Sequence, residues 1–140
     1  MSYKILEHTA DVKIEVTEKD LEHCFKDSAK ALRDIIGQDV KDKIKAIQEV
    51  EIEVGGKDLE SLFYNFLEEF LFLLDAENFL VYKVDKIEFS ENNKRLSAKI
   101  AGDNANRHKF TNRVKSVVYE DVKITKDKDK IVIKFILMLK

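Results

Sequence analysis

The chain has one cysteine, no tryptophan and no proline among its 140 residues. Cys24 therefore cannot form an intrachain disulfide, and it has no second cysteine with which to bind zinc or form a redox pair. No stretch approaches the roughly 18 consecutive apolar residues of a membrane-spanning helix, and the N-terminus lacks the basic and long apolar regions of a signal peptide. These absences indicate a reducing compartment, and we expect a cytoplasmic protein with no membrane association.

A large excess of charge is also absent, because the formal net charge is −2 and the pI is near 6.0. Phosphate-binding surfaces use clustered Lys and Arg, so strong direct nucleic-acid binding is not expected, and any connection to RNA would run through a protein partner. The chain is 44% hydrophobic and 37% charged, which excludes a disordered chain. Its length is typical of one domain, and we predict a single domain over residues 1–140.

Two segments have the apolar spacing of amphipathic helices. The first has Thr17 as its predicted N-cap and Gly37 at its C-terminal end, with apolar residues at 21, 25, 29, 32 and 36 between them. The second runs from Leu59 to Leu74 after an N-cap at Asp58, and it is predicted to be the central core helix.

The remaining apolar runs alternate with polar residues, as in half-buried strands. Strands are predicted on both sides of residues 7–11 and over residues 49–54, 79–89, 94–101, 114–124 and 131–139. The order is strand, strand, helix, strand, helix and four strands. The sequence therefore predicts an α+β domain with a mostly antiparallel sheet and two main amphipathic helices.

Two further features allow a structural or a functional interpretation. Tyr64 and Phe72 lie outside the apolar stripe of the second helix, and we expect them to be buried in the same domain rather than to contact a partner. Residues 102–111 are predicted to form an irregular segment. It contains a basic cluster, Arg107, His108 and Lys109, which could bind an anion or could belong to an ordinary exposed loop.

The motif Glu7-His8-Thr9-Ala10-Asp11 places an imidazole and a carboxylate three positions apart between two predicted strands. It is either a turn in which Asp11 bonds to the local backbone or one corner of a functional site. A metal-dependent hydrolase would use His8 and Asp11 as ligands, with further candidates on distant segments: His108, Glu120 and Asp103. No nucleophile-elbow, phosphate-loop or paired-histidine motif accompanies them.

These features together resemble the archease family. The match consists of the N-terminal motif, Asp58-Leu59-Glu60-Ser61-Leu62 with its continuation Phe66-Leu67-Glu68-Glu69, Gly102, the Arg107-His108 loop, and Val114-Lys115-Ser116-Val117-Val118-Tyr119. The order and spacing of these motifs extend over essentially the whole chain.

The resemblance implies an accessory protein of tRNA splicing and RNA repair. Such a protein promotes guanylylation and multiple turnover of the GTP-dependent tRNA-splicing RNA ligase and is not itself an enzyme; chaperoning of a tRNA methyltransferase is the alternative. The resemblance also implies a calcium site, with a carboxylate from Asp11 and a main-chain carbonyl from Leu139. The partner-activating residues would be His8, Asp11, Lys115 and Glu120.

The sequence departs from the family at this calcium site. Met138 stands where an aspartate is expected, and a thioether does not replace a hard oxygen ligand, so calcium would bind weakly at best. If the last two strands turn near Lys128, residue 118 lies opposite residue 138, and Glu120 is a diagonal neighbour about 7–8 Å from it. We hypothesise that Glu120 then compensates for Met138; the alternative is an ordinary solvent-facing strand residue.

Overall fold

The computed structural model of the chain describes residues 3–8, 11–37, 43–108 and 113–140, and of residues 5–8 it describes the backbone alone. Thr9 and Ala10 of the N-terminal motif, and Lys109 of the predicted basic cluster, lie outside the described residues.

The strands form two antiparallel sheets. The first contains, in spatial order, β1 (Tyr3–His8), β2 (Asp11–Glu18), β8 (Lys130–Leu139) and β6 (Val114–Val117), and β7 (Lys123–Asp127) also pairs with β8. The second contains, in spatial order, β3 (Gln48–Gly55), β5 (Arg95–Asn104) and β4 (Phe79–Phe89). This arrangement confirms the predicted α+β class and its antiparallel pairing.

Two helices, α1 (Leu21–Ile36) and α2 (Leu59–Glu77), contact strands of both sheets and therefore lie between them. The ring of Phe25 packs against those of Phe63 and Phe66, with centroids 5.2 Å apart in each pair. Burial of an aromatic side chain of this kind contributes on the order of 2 kcal/mol. Neither α1 nor α2 is long and apolar enough to cross a membrane.

The beginnings of the two helices agree only in part with the prediction. Asp20, not Thr17, is the N-cap of α1, and its side chain accepts a hydrogen bond from the His23 N–H at 2.8 Å. Thr17 cannot take this place because it still belongs to β2, whose ladder with β8 continues through it. Asp58 caps α2 as predicted, in a capping box with Ser61.

The prediction of a single strand over residues 114–124 is wrong, because the chain leaves the sheet partway along this range. β6 gives way to a short 3-10 helix before β7 begins. Val117 faces Leu137, whereas Lys123 faces Lys134, so the chain advances six positions while its partner β8 advances three. The extra residues form the 3-10 turn, and this part of the chain contains two short strands instead of one.

The start of the predicted irregular segment is also regular structure. Gly102, Asp103 and Asn104 are the last residues of β5, because their pairing with β4 continues to Asn104. Gly102 allows a close approach between these strands: a Cβ atom there would lie 2.5 Å from the carbonyl oxygen of Leu80.

The two aromatic residues outside the apolar stripe of α2 behave differently. Tyr64 is partly buried, and its ring packs edge-on against that of Tyr119 with centroids 5.1 Å apart. Phe72 is 58% exposed, so the expectation that it is buried within the domain is wrong.

Candidate functional site

Asp11, Met138 and Ser116 form a row on the outer face of the first sheet. Met138 in β8 lies opposite Asp11 in β2 on one side and opposite Ser116 in β6 on the other. Val12 and Leu137, the next residues along their strands, are completely buried. Since side chains alternate along a strand, Asp11 and Met138 point away from the core. With neighbouring strands about 4.8 Å apart, the backbones of Asp11 and Ser116 are about 10 Å apart.

Lys115 joins this row through a β-bulge. The register of β6 against β8 shifts between Val114 and Ser116, which makes Lys115 the extra residue. In a bulge, two residues of one strand oppose a single residue of its partner, so Lys115 and Ser116 share Met138. The structure therefore brings Asp11 and the exposed Lys115, which are far apart in sequence, to the two sides of one residue. We call Asp11, Lys115, Ser116 and Met138 the outer-face site.

Glu120 does not occupy the strand position predicted for it. It is exposed on the 3-10 helix Tyr119–Asp121, and Val118 bonds through its N–H to the carbonyl oxygen of Ile136 at 2.9 Å instead of lying opposite Met138. The hypothesis that Glu120 compensates for Met138 as its strand neighbour is therefore wrong. A contact between Glu120 and a partner protein stays a prediction.

His8 is the remaining residue of the predicted site. Its backbone pairs with Val12 where β1 meets β2, and its side chain lies outside what the structure describes. Its role in partner activation stays a prediction.

The outer-face site does not fit the calcium ion that the family implies. Asp11 offers a carboxylate, Ser116 a hydroxyl and the neighbouring Leu139 a main-chain carbonyl, whereas Met138 offers only a thioether. Calcium takes 6–8 oxygen ligands, so this set is too small without the missing carboxylate.

A second polar cluster surrounds Asp103, which is completely buried at the end of β5. Its carboxylate accepts hydrogen bonds from the backbone N–H groups of Lys45 (3.0 Å) and Asn104 (2.8 Å), and it contacts His108 Nε2 at 2.8 Å and Arg107 Nη1 at 3.2 Å. Burial alone would raise the pKa of Asp103, but these hydrogen bonds and the charge of Arg107 hold the pKa below its ordinary value. Arg107 and His108 thus meet an internal carboxylate.

The described residues do not assemble a site for a metal-dependent hydrolase. Two of the predicted additional ligands, His108 and Asp103, bond to each other, and Glu120 lies on the 3-10 helix. In the part of the chain that the structure describes, no group of three or more His, Cys, Asp or Glu side chains could hold a metal ion. Catalytic metal sites need three protein ligands.

Glu68 is a residue that sequence reasoning missed. On the helical pattern it belongs to the polar side of α2, which predicts contact with water. In the structure its Oε2 accepts a hydrogen bond from the Val117 N–H at 2.8 Å, which attaches α2 to the strand that carries Lys115. No local sequence signal identifies this bond, because it depends on how α2 packs beside β6.

Comparison with known proteins gives the family. Residues 3–137 match the archease protein family (MTH1598/TM1083). Protein archease of Pyrococcus abyssi is 42% identical to the chain over 123 residues, which cover 86% of this chain and 85% of that protein. The archease-like protein of Drosophila melanogaster is 35% identical over 130 residues, covering 91% and 82% respectively. The chain therefore belongs to the archease family, as its motifs predicted.

Two solved structures share the fold. The solution structure of Methanobacterium thermoautotrophicum protein 1598 has a TM-score of 0.78 at 23% identity and covers 99% of both chains. The crystal structure of a Thermotoga maritima archease, described as a possible chaperone, has a TM-score of 0.59 at 18% identity and covers 98% of this chain and 95% of that one. At these identities the likeness supports the fold alone.

Proposed function

We propose that this archease is an accessory protein of tRNA splicing and RNA repair. It promotes guanylylation and multiple turnover of the GTP-dependent tRNA-splicing RNA ligase. The observation that carries the proposal is that Asp11 and Lys115 lie on the two sides of Met138. Fixed charges of opposite sign on one face can meet complementary groups of a partner protein and set its orientation.

Each charge of the outer-face site has a distinct task in this proposal. The Lys115 ammonium is exposed on a bulge, where it can reach a phosphate group bound by the ligase. The Asp11 carboxylate positions a basic side chain of the ligase beside that phosphate. Both tasks are charge placement, so the proposal uses neither a nucleophile nor a metal ion.

Ligase turnover tests this proposal. Ligase is supplied in amounts well below the RNA substrate, with and without the archease, and completed ligations per ligase molecule are counted. We expect the wild type to raise this number and Lys115→Met and Asp11→Asn to lose most of the gain, by about tenfold or more. Lys123→Met is the matched control, because Lys123 is an exposed lysine of the same sheet on β7. No gain with the wild type would contradict the proposal.

Chaperoning of a tRNA methyltransferase is the second candidate. The Thermotoga maritima protein with this fold is described as a possible chaperone, and the exposed Phe72 is the kind of group that contacts apolar segments of other proteins. Retention of a tRNA methyltransferase, and not of the RNA ligase, on the immobilised archease would favour this function over the first.

A further inference from the structure

The exposed side of α2 carries an aromatic side chain, Phe72, that is 58% exposed. We infer that this side docks a positively charged segment of the partner, whose apolar anchor packs on Phe72. The inference rests on the proposed function for the identity of the partner, the RNA ligase, and adds where that partner is held. We call Phe72, Glu69, Asp75 and Tyr119 the Phe72 surface.

The Phe72 surface lies along β6, the strand that carries Lys115, because α2 contacts β6 and runs antiparallel to it. The ring of Tyr64 packs on Tyr119, and two further pairs follow in the same direction: Glu68 bonds to the Val117 N–H, and Asp75 lines one cleft with Arg113. Four residues advance about 6 Å along a helix, and two residues advance about 6.6 Å along a strand. Phe72 therefore lies at the level of Lys115 along β6, between the levels of Glu68 and Asp75.

Phe72 and Tyr119 provide the apolar contact area. Among the described residues, Phe72 is the most exposed large hydrophobic side chain at 58%, and Tyr119 is 39% exposed while its ring rests on Tyr64. An aromatic anchor that is already held by a rigid helix loses little conformational freedom on binding. Such residues contribute much of the affinity in protein interfaces.

The charge of α2 indicates the chemistry of the occupant. The helix has five acidic residues and no Lys or Arg, and Glu68, Glu69 and Asp75 lie three or four positions from Phe72 on neighbouring turns. Asp75 and Glu77 occupy the last turn, where the helix dipole disfavours negative charge. This arrangement costs local stability, and it creates an acidic rim around an exposed aromatic group. A segment with Lys or Arg on both sides of an apolar residue is complementary to it.

The side of the Phe72 surface next to β6 is basic, and this determines which side of the docked segment faces α2. Lys115 and Arg113 are exposed on and next to β6, across from the acidic residues of α2. A partner segment with its basic side chains toward α2 leaves Lys115 uncovered for a phosphate. Docking at Phe72 and charge placement by Lys115 are thus compatible in one complex.

Binding to the purified ligase is the first test. The affinities of wild type, Phe72→Ser and the double variant Glu69→Lys/Asp75→Lys are measured by calorimetry at two salt concentrations. Ile47→Ser is the matched control, because Ile47 is also an exposed large hydrophobic residue, at 52%, and precedes β3 in the other sheet. We expect Phe72→Ser to weaken binding tenfold or more, the charge reversal to weaken it most at low salt, and Ile47→Ser to leave it unchanged. Equal melting temperatures show that each variant is folded.

A peptide probe makes the test independent of the ligase. A synthetic peptide with one leucine flanked by lysines is titrated into the wild type and Phe72→Ser, and a peptide with glutamates in place of the lysines is the control. The expected result is saturable binding of the basic peptide alone, weakened tenfold or more by Phe72→Ser.

The outcomes separate the two proposals. If the basic peptide binds in a way that depends on Phe72, but the wild type has no effect on ligase turnover, the proposed function is overturned and the Phe72 surface is kept. Ligase activation with unchanged ligase affinity in Phe72→Ser overturns the Phe72 surface and keeps the proposed function. If neither the ligase nor the basic peptide binds in a way that depends on Phe72, the inference is overturned. Phe72-dependent dimerisation without peptide binding also overturns it, because the occupant is then a second copy.

Discussion

Asp11 of β2 and Met138 of β8 are directly opposite each other on the outer face of the first sheet. Side chains at such positions have Cβ atoms about 4.5–5.5 Å apart, which is close enough for two carboxylates to share one metal ion. Because residue 138 is methionine, Asp11 has no second carboxylate across the ladder. This face of the sheet therefore carries the Asp11 carboxylate on β2 and the Lys115 ammonium on β6, on the two sides of β8.

Met138→Asp restores a carboxylate opposite Asp11. We expect it to raise the affinity for Ca²⁺ at least about tenfold over the wild type in calorimetric titrations, because two carboxylates, the Ser116 hydroxyl and the Leu139 carbonyl then converge. Without Ca²⁺ the two like charges should lower the free energy of unfolding by up to about 1 kcal/mol, and Ca²⁺ should recover this loss. Met138→Asn is the uncharged control; equal Ca²⁺ affinity in the two variants would contradict the geometry.

Glu68 holds β6 in place through the Val117 N–H. Glu68→Leu leaves this buried N–H without its acceptor and should cost about 1–2 kcal/mol of stability, whereas Glu68→Gln keeps a side-chain oxygen and should cost less. Hydrogen exchange of the Val117 amide gives the readout, and we expect faster exchange in Glu68→Leu. Glu69→Leu is the control on the same helix. Unchanged protection of Val117 in Glu68→Leu would show that the bond does not hold the strand.

The Asp103 cluster makes stability depend on pH. Its folded-state pKa is lower than the unfolded one, so the contribution of Asp103 is fully present above about pH 4 and is lost as the pH falls through the folded value. Asp103→Asn should cost about 2 kcal/mol at pH 7, and its difference from the wild type should shrink below pH 4. Urea unfolding across this range measures both effects, with the exposed Glu91→Gln as the control. A constant difference down to pH 2 would refute the role of the Asp103 charge.

Gly102 is required by close contact between strands, not by unusual backbone angles. A Cβ atom there would lie 2.5 Å from both the Leu80 carbonyl oxygen and Cζ of Phe79, so Gly102→Ala should destabilise the protein by about 1–3 kcal/mol. Gly55→Ala is the matched control, because its nearest atom is 3.3 Å away at the flexible end of Arg95. Equal unfolding midpoints in urea for the two variants would contradict this explanation.

The periodicity of the sequence predicted most of the fold. The apolar stripe of α2 and the alternation of β3 are strong signals because the surrounding residues are polar and the capping residue Asp58 is in place. The break between β6 and β7 was not predictable in this way. Residues 117–124 are rich in β-branched and aromatic residues, as a strand is, and the position of the 3-10 turn follows from the pairing with β8.

The candidate site was predictable as a set of residue types but not as a geometry. The family resemblance identified Asp11 and Lys115, and the sheet order then placed both beside Met138. The predicted strand position of Glu120 was wrong because the chain leaves β8 after Val117 and forms the 3-10 helix Tyr119–Asp121. The exposure of Phe72 depends on how α2 packs against the rest of the chain, which is a tertiary property.

Guanylylation of the ligase is the step that we propose Asp11 and Lys115 promote, and it can be measured by itself. Transfer of labelled GMP from GTP to the cognate RNA ligase is followed in the absence of RNA, with wild-type archease, Asp11→Asn, Lys115→Met or the Lys123→Met control. We expect the wild type and Lys123→Met to accelerate the transfer equally, and Asp11→Asn and Lys115→Met each to lose most of the acceleration while remaining folded. Equal acceleration by all four proteins, or none by the wild type, would contradict the proposal.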